Sequence, residues 1–196
     1  MTEATPQGRL WVVRHGETEW SASGRHTSRT EVPLTPLGER QAARLRDRLQ
    51  GQAFSLVLTS PRRRAMDTCR RAGFGDRAVV DADLAEWDYG ADEGRTTAEI
   101  QVDRPGWSIW RDGPLGGETI GQVAARAERV IHRARQVDGD VLAFAHGHLL
   151  RVLAARWADF APVDGRGLLL EPATISILGW ERETPVIELW NEIAPG

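Results

Sequence analysis

Leu10-Trp11-Val12-Val13-Arg14-His15-Gly16-Glu17-Thr18-Glu19-Trp20 decides how this chain is read. A short aromatic and β-branched run that ends in Arg-His-Gly predicts a buried strand stopped by a glycine turn. That puts a cation and an imidazole at the carboxyl end of a strand, where open α/β sheets bind ligands. Such a pair alone is more often ordinary structure than a site. It gains weight from a second strand-His-Gly unit far downstream, Val141-Leu142-Ala143-Phe144-Ala145-His146-Gly147-His148. Two strands presenting imidazoles in the same way can turn them toward one pocket.

Outward from this pair, composition narrows the options. A chain of 196 residues, 41% hydrophobic and 27% charged with net charge −3, fits one well-packed globular domain. The balance is too neutral for nucleic acid or a membrane surface as the main partner. The single cysteine, Cys69, excludes an intrachain disulfide and a Cys-based zinc cluster, and fits a reducing cytoplasm. No apolar stretch approaches the roughly 20 residues of a membrane span. Met1 to Gly8 lack an apolar signal-peptide core and read as a frayed, disordered terminus before a single domain at 9–196.

Ser21 to Thr30 is small and polar, a loop placed to wall the pocket. Thr35-Pro36 caps and opens a helix whose apolar face is Leu37, Ala42, Leu45 and Leu49. Phe54 to Thr59 predicts a second strand, followed by Ser60 as cap, Pro61 in the first turn and a helix bearing Arg62, Arg63 and Arg64. Cations there oppose the helix dipole, so a bound anion would give them a purpose; a solvated basic face explains the others if one points inward. Ala78 to Val80 is a short apolar run. Asp81 to Gly90 forms an acidic, aromatic loop in which a partly desolvated carboxylate could serve as general acid. Spacing does not choose among Asp83, Glu86, Asp88, Asp92 and Glu93.

From Thr96 to Trp110 the pattern is one or two helices broken at Pro105-Gly106, with Trp107 and Trp110 at helical spacing and read first as packing residues. Ile120, Val123, Ala127, Val130, Ile131 and Ala134 repeat at the helical period, with His132 on the outer face. Leu149 to Leu153 resumes a helix, so Gly147 and His148 sit at a strand-to-helix junction with free N–H groups. Thr174 to Trp180 and Val186 to Trp190 read as strands closing a sheet edge. Strands alternating with helices predict a three-layer α/β/α domain around a mostly parallel sheet.

Two histidines, several arginines and an acid suit phosphoryl transfer without a metal. A neutral imidazole attacks phosphorus, arginines neutralise the phosphoryl oxygens, and a carboxylic acid protonates the leaving alkoxide. Metal binding by His15 and His146 competes for the same residues; the adjoining arginines and the absence of an H-x-x-x-H or H-E-x-x-H spacing speak against it.

These residues resemble the histidine phosphatase superfamily, which includes the cofactor-dependent phosphoglycerate mutases, over nearly the whole chain. Arg14-His15-Gly16-Glu17-Thr18 looks like its R-H-G-E-T signature, which implies that His15 is the phosphorylated nucleophile. Ser60-Pro61-Arg62-Arg63-Arg64-Ala65 looks like its S-x-x-x-R-A segment and selects Arg64 as the inward arginine. Leu84-Ala85-Glu86, then Gly90 and Glu93-Gly94, resembles its L-x-E…G…E-G segment and selects Glu86 as the acid-base. Gly117-Glu118-Thr119 matches a G-E-S/T element. Ala145-His146-Gly147 looks like the second signature, which implies that His146, with Arg14 and Arg64, holds the phosphoryl group. The resemblance implies a phosphoglycerate mutase-like fold, no metal or other cofactor, and further phosphate contacts from Ser21, Thr27, Ser28, Gly147 and His148. A homodimer through the edge strands follows from family habit.

Departures bear on the substrate. Ser21 stands where the family commonly has Asn, and Thr27-Ser28 replace its usual Q-G. Trp87-Asp88 follow Glu86 where the mutases carry a basic pair, which penalises a doubly charged bisphosphoglycerate. The expectation is a phosphomonoesterase acting on a small phosphate monoester, similar to the small broad-specificity acid phosphatases of the family. The alternatives are a bisphosphoglycerate-dependent mutase and a non-catalytic phospho-ligand binder. Neighbouring arginines should keep His15 neutral to lower pH than a free imidazole, which permits a mildly acidic optimum. Trp20, Trp87 and Tyr89 are either substrate contacts or wall packing.

Overall fold

The computed structural model describes residues 8–194; the terminus expected to be frayed lies, Gly8 apart, outside the described residues. Six strands, β1 (Leu10–Arg14), β2 (Phe54–Thr59), β3 (Ala78–Val80), β4 (Asp140–Ala145), β5 (Thr174–Glu181) and β6 (Thr184–Ile193), form one sheet in the order β3-β2-β4-β1-β5-β6. The pairs β3-β2, β2-β4 and β4-β1 are parallel, and the terminal hairpin β5-β6 joins β1 antiparallel. The sheet is thus mostly parallel, with the two late strands at one edge.

Helices α1 (Glu19–Ala22), α2 (Pro36–Leu49), α3 (Arg63–Arg71), α4 (Thr97–Asp103), α5 (Ile109–Asp112), α6 (Ile120–Arg135) and α7 (Gly147–Trp157) complete the described elements, with short 3-10 turns between them. Alternation along the strands builds a core on each face. Leu10 and Val12 of β1, with Val141, Ala143 and Ala145 of β4, join the apolar stripes of α6 and α7. Trp11 and Val13, with Leu142 and Phe144, join Leu45 and Leu49 of α2 and Cys69 of α3. Both faces of β1 and β4 are buried, which is why these strands read as continuous apolar runs. Each such Leu or Val withdrawn from water stabilises the fold by roughly 1.5–3 kcal/mol.

Several boundaries differ from the sequence expectation. Leu37 is not part of the apolar face of α2; it is exposed, and the buried residues are Gly38, Ala42, Leu45 and Leu49. The face begins at a glycine because the helix start presses against the loop after β1: a Cβ on Gly38 would stand 2.1 Å from the Glu17 carbonyl oxygen, and one on Gly16 2.5 Å from that of Gly38. α3 begins at Arg63, with Arg62 as a cap whose side chain makes no capping bond, so Ser60-Pro61 precede the helix rather than start it. Ser21 is not in a loop: it lies in α1, a single turn capped by Thr18. Trp107 lies between α4 and α5, so the tryptophan pair does not share one helix.

Candidate active site

The carboxyl ends of β2, β4 and β1, three adjacent parallel strands, lie side by side, and the site is built on them. The ladder continues one residue past each strand, His15 N–H donating to the Ala145 carbonyl at 3.0 Å and Ser60 N–H to that of Phe144 at 2.9 Å. His15 and His146 therefore emerge from neighbouring strands in register, their ring centroids 5.2 Å apart and their planes at 61°. Both are buried, as is Arg64, which is 0% exposed at the start of α3.

His15 Nδ1 lies 2.8 Å from the Gly16 carbonyl oxygen, which can only accept. On the neutral ring this fixes the proton on Nδ1 and leaves the Nε2 lone pair free. Burial and the positive charges of Arg64 and Arg14 hold the His15 pKa well below the ordinary imidazole value, and those of His146 and His148 are lowered chiefly by burial. The same burial lowers the pKa of Arg14 and Arg64. Arg14 NH1 donates to the Leu170 carbonyl at 2.5 Å, and Arg64 holds the carbonyls of Thr27, Ser28 and Thr30. Arg14 Nε, Arg64 Nε and His146 Nδ1 are nevertheless buried without a partner. Buried nitrogens normally find acceptors, so these are poised for a guest rich in oxygen.

Glu86 closes the site from the acidic loop. Its Oε1 accepts the N–H groups of Trp87 and Leu149, each at 2.9 Å, and its Oε2 accepts that of His148 at 3.1 Å. Of the two N–H groups expected to be free at the start of α7, that of His148 holds the carboxylate and that of Gly147 does not, Leu149 supplying the second; Oε2 keeps a lone pair for a proton. Glu118 and Arg126 fix this loop. The Glu118 carboxylate accepts from the Asp88 N–H and from both Nε and NH2 of Arg126, whose NH1 donates to the carbonyls of Asp83 and Ala85 at 2.8 Å. Glu93 accepts the N–H groups of Ser28 and Thr30, anchoring the carbonyls that Arg64 grips.

A cavity of about 510 Å³ opens over His15 and is also lined by Arg14, Ser21, Thr27, Glu86, Gly147 and His148. Arg64 and His146 are not among its lining residues; both are 0% exposed. Ser28 lies outside it, 1% exposed, with its hydroxyl donated to the Glu86 carbonyl. Ser21 reaches the wall, but its hydroxyl donates to the Thr18 carbonyl at 3.0 Å. Among the aromatics, Trp87 belongs to the core and Trp20 packs over Gly94, whereas Tyr89, Trp107 and Trp110 line the cavity. His26, Arg151 and the Tyr89–His148 hydrogen bond escaped the sequence reading. His26 and Arg151 stand in stretches read as loop and helix, and no spacing ties either to a strand end.

Comparison with known proteins agrees with this architecture. A family model described as "Histidine phosphatase superfamily (branch 1)" matches residues 10–193. A Mycobacterium tuberculosis acid phosphatase is 41% identical over 195 residues, covering 95% of each chain. A Saccharomyces cerevisiae sedoheptulose 1,7-bisphosphatase is also 41% identical, over 80% of this chain and 69% of its own. Among solved structures, the product of a Mycobacterium tuberculosis open reading frame superposes with a TM-score of 0.92 at 37% identity, covering 96% of this chain and 99% of that one. A mycobacterial glucosyl-3-phosphoglycerate phosphatase solved with VO3 gives 0.84 at 29% identity, covering 94% and 99%. From strand ends to overall architecture, the chain belongs to the histidine phosphatase superfamily, branch 1.

Proposed function

We propose that this protein is a phosphomonoesterase acting on small phosphorylated metabolites through a phosphohistidine on His15. The observation that carries the reading is a neutral, buried His15 with a free Nε2, beside buried nitrogens of Arg14, Arg64 and His146 that lack partners. His15 Nε2 attacks phosphorus as the ester P–O bond breaks, and the departing alkoxide takes its proton from the Glu86 carboxyl. Water then attacks phosphorus, Glu86 takes the water's proton, and the P–N bond breaks to release inorganic phosphate. Arg14 and Arg64 neutralise charge on the phosphoryl oxygens throughout, and the neutral His146 offers them a hydrogen bond.

The names of the similar proteins, an acid phosphatase and two sugar-linked phosphatases, support hydrolysis over transfer. So do the two residues after Glu86: Trp87 is core and Asp88 pairs with Arg29 at 2.5 Å, so neither supplies a cation for a second acidic group. Incubation with p-nitrophenyl phosphate, and separately with 3-phosphoglycerate plus bisphosphoglycerate, tests the choice. Free phosphate should dominate; mutase turnover well above phosphate release would overturn it. His15→Ala should abolish both turnover and acid-labile labelling, and surviving activity would sink the mechanism.

The same reading places the enzyme in a reducing cytoplasm, supported by one buried cysteine, and pairs two copies through the edge strand β6. Sedimentation at the monomer mass of 21.7 kDa would remove the pairing. Among the described residues, no helix is long and apolar enough to cross a membrane.

A further inference from the structure

His26 and His148 take no side-chain part in the phosphoryl chemistry, yet both line the cavity above His15. Their rings are parallel within 5° with centroids 6.0 Å apart. Their hydrogen bonds give them opposite polarity. His26 Nδ1 lies 2.8 Å from the Arg95 carbonyl oxygen, an obligatory acceptor, so on the neutral ring Nδ1 carries the proton and Nε2 is an acceptor. His148 Nδ1 lies 2.6 Å from the Tyr89 hydroxyl. That hydroxyl has no other partner among the described residues and donates to Nδ1, which puts the His148 proton on Nε2. Burial reinforces the second assignment, raising the Tyr89 pKa so that its proton stays and lowering that of His148 so that the ring stays neutral. Neither Nε2 has a protein partner among the described residues, and neither is sealed from solvent.

We infer that His26 and His148 form a hydroxyl-reading pair that selects phosphate esters of sugars and polyols. A hydroxyl between them donates to His26 Nε2 and accepts from His148 Nε2–H, a match that neither an ether nor a methylene can make. The surrounding wall fits the same class. Trp107 and Trp110 flank the two imidazoles at 5.6 and 5.3 Å and line the same cavity with apolar ring surface. Thr97, Gln101 and Ser108 line the same cavity with uncharged donors and acceptors. The inference rests on the phosphatase reading and names the substrate class of that site.

Sorbitol 6-phosphate and hexyl phosphate share a six-carbon chain and a scissile phosphate but differ in their hydroxyls, so the ratio of their kcat/KM values tests the pair. The wild-type protein should favour the polyol ester by tenfold or more. Tyr89→Phe, which frees His148 to take the other tautomer, and His26→Phe, which removes the acceptor, should each lower that ratio by about tenfold, the effect of one lost hydrogen bond. A wild-type preference for hexyl phosphate, or a ratio unchanged in both variants, overturns the inference and leaves the phosphatase reading standing. Failure of the wild-type protein to release phosphate from either ester, or from p-nitrophenyl phosphate, instead overturns the phosphatase reading. The wild-type comparison depends on no variant's folding.

Discussion

At the scale of single residues, the site is set by what each polar atom lacks. The Gly16 carbonyl leaves His15 with a free Nε2, and two arginines plus burial disfavour its imidazolium form. The acid limb of kcat/KM with p-nitrophenyl phosphate should therefore lie below the ordinary imidazole range. Between about pH 7 and pH 5.5 activity should not fall; a limb centred near the ordinary imidazole value of 6.5 would contradict the structure. Cys69 makes the opposite case. Burial pushes its thiol up to about 12, so it should stay unreactive toward a thiol reagent in the native protein and react on unfolding. Rapid native labelling would show that α3 opens.

Elements matter here because loops carrying function are clamped onto helices. The Glu118–Arg126 pair joins α6 to the Glu86 loop through two side-chain bonds and two backbone carbonyls. Arg126→Met should lower kcat by tenfold or more with a smaller change in KM, since misplacing an acid by about 1 Å can cost on the order of a hundredfold. Unchanged kcat would show that α7 alone holds Glu86 through His148 and Leu149. The contact between α2 and the loop after β1 has no such slack. Gly38→Ala would force the Glu17 carbonyl away and should cost about 2 kcal/mol, read as a lower urea midpoint. The sequence showed α2 clearly, through Thr35-Pro36 and the leucines, but not that Leu37 faces water. That depends on which side of the helix meets the sheet.

For the molecule as a whole, the buried imidazoles couple stability to pH. His15, His146 and His148 all have folded pKa values lowered well below the unfolded value of 6.5. Below that value the unfolded chain binds protons that the native site refuses, so stability is full above it and declines as pH falls. The slope is at most about 1.4 kcal/mol per pH unit for each histidine. Urea midpoints at pH 7.5 and pH 5 should differ accordingly, with inorganic phosphate recovering part of the loss by binding the native site. Equal midpoints would mean that the imidazoles titrate normally.

The sequence by itself determined the sheet and its layers, because β1 and β4 are buried on both faces and apolar throughout, while the helices carry 3.6-residue stripes. It also pointed to the strand ends, because Arg14-His15-Gly16 and His146-Gly147 follow such runs directly. What only the tertiary structure decided lies where chain separation is large: Glu86 seated on the first turn of α7, Glu93 anchoring the loop under Arg64, and His26 brought beside His148. No local period encodes those meetings. They arise when strands distant in sequence pair side by side and their following loops converge over one edge of the sheet.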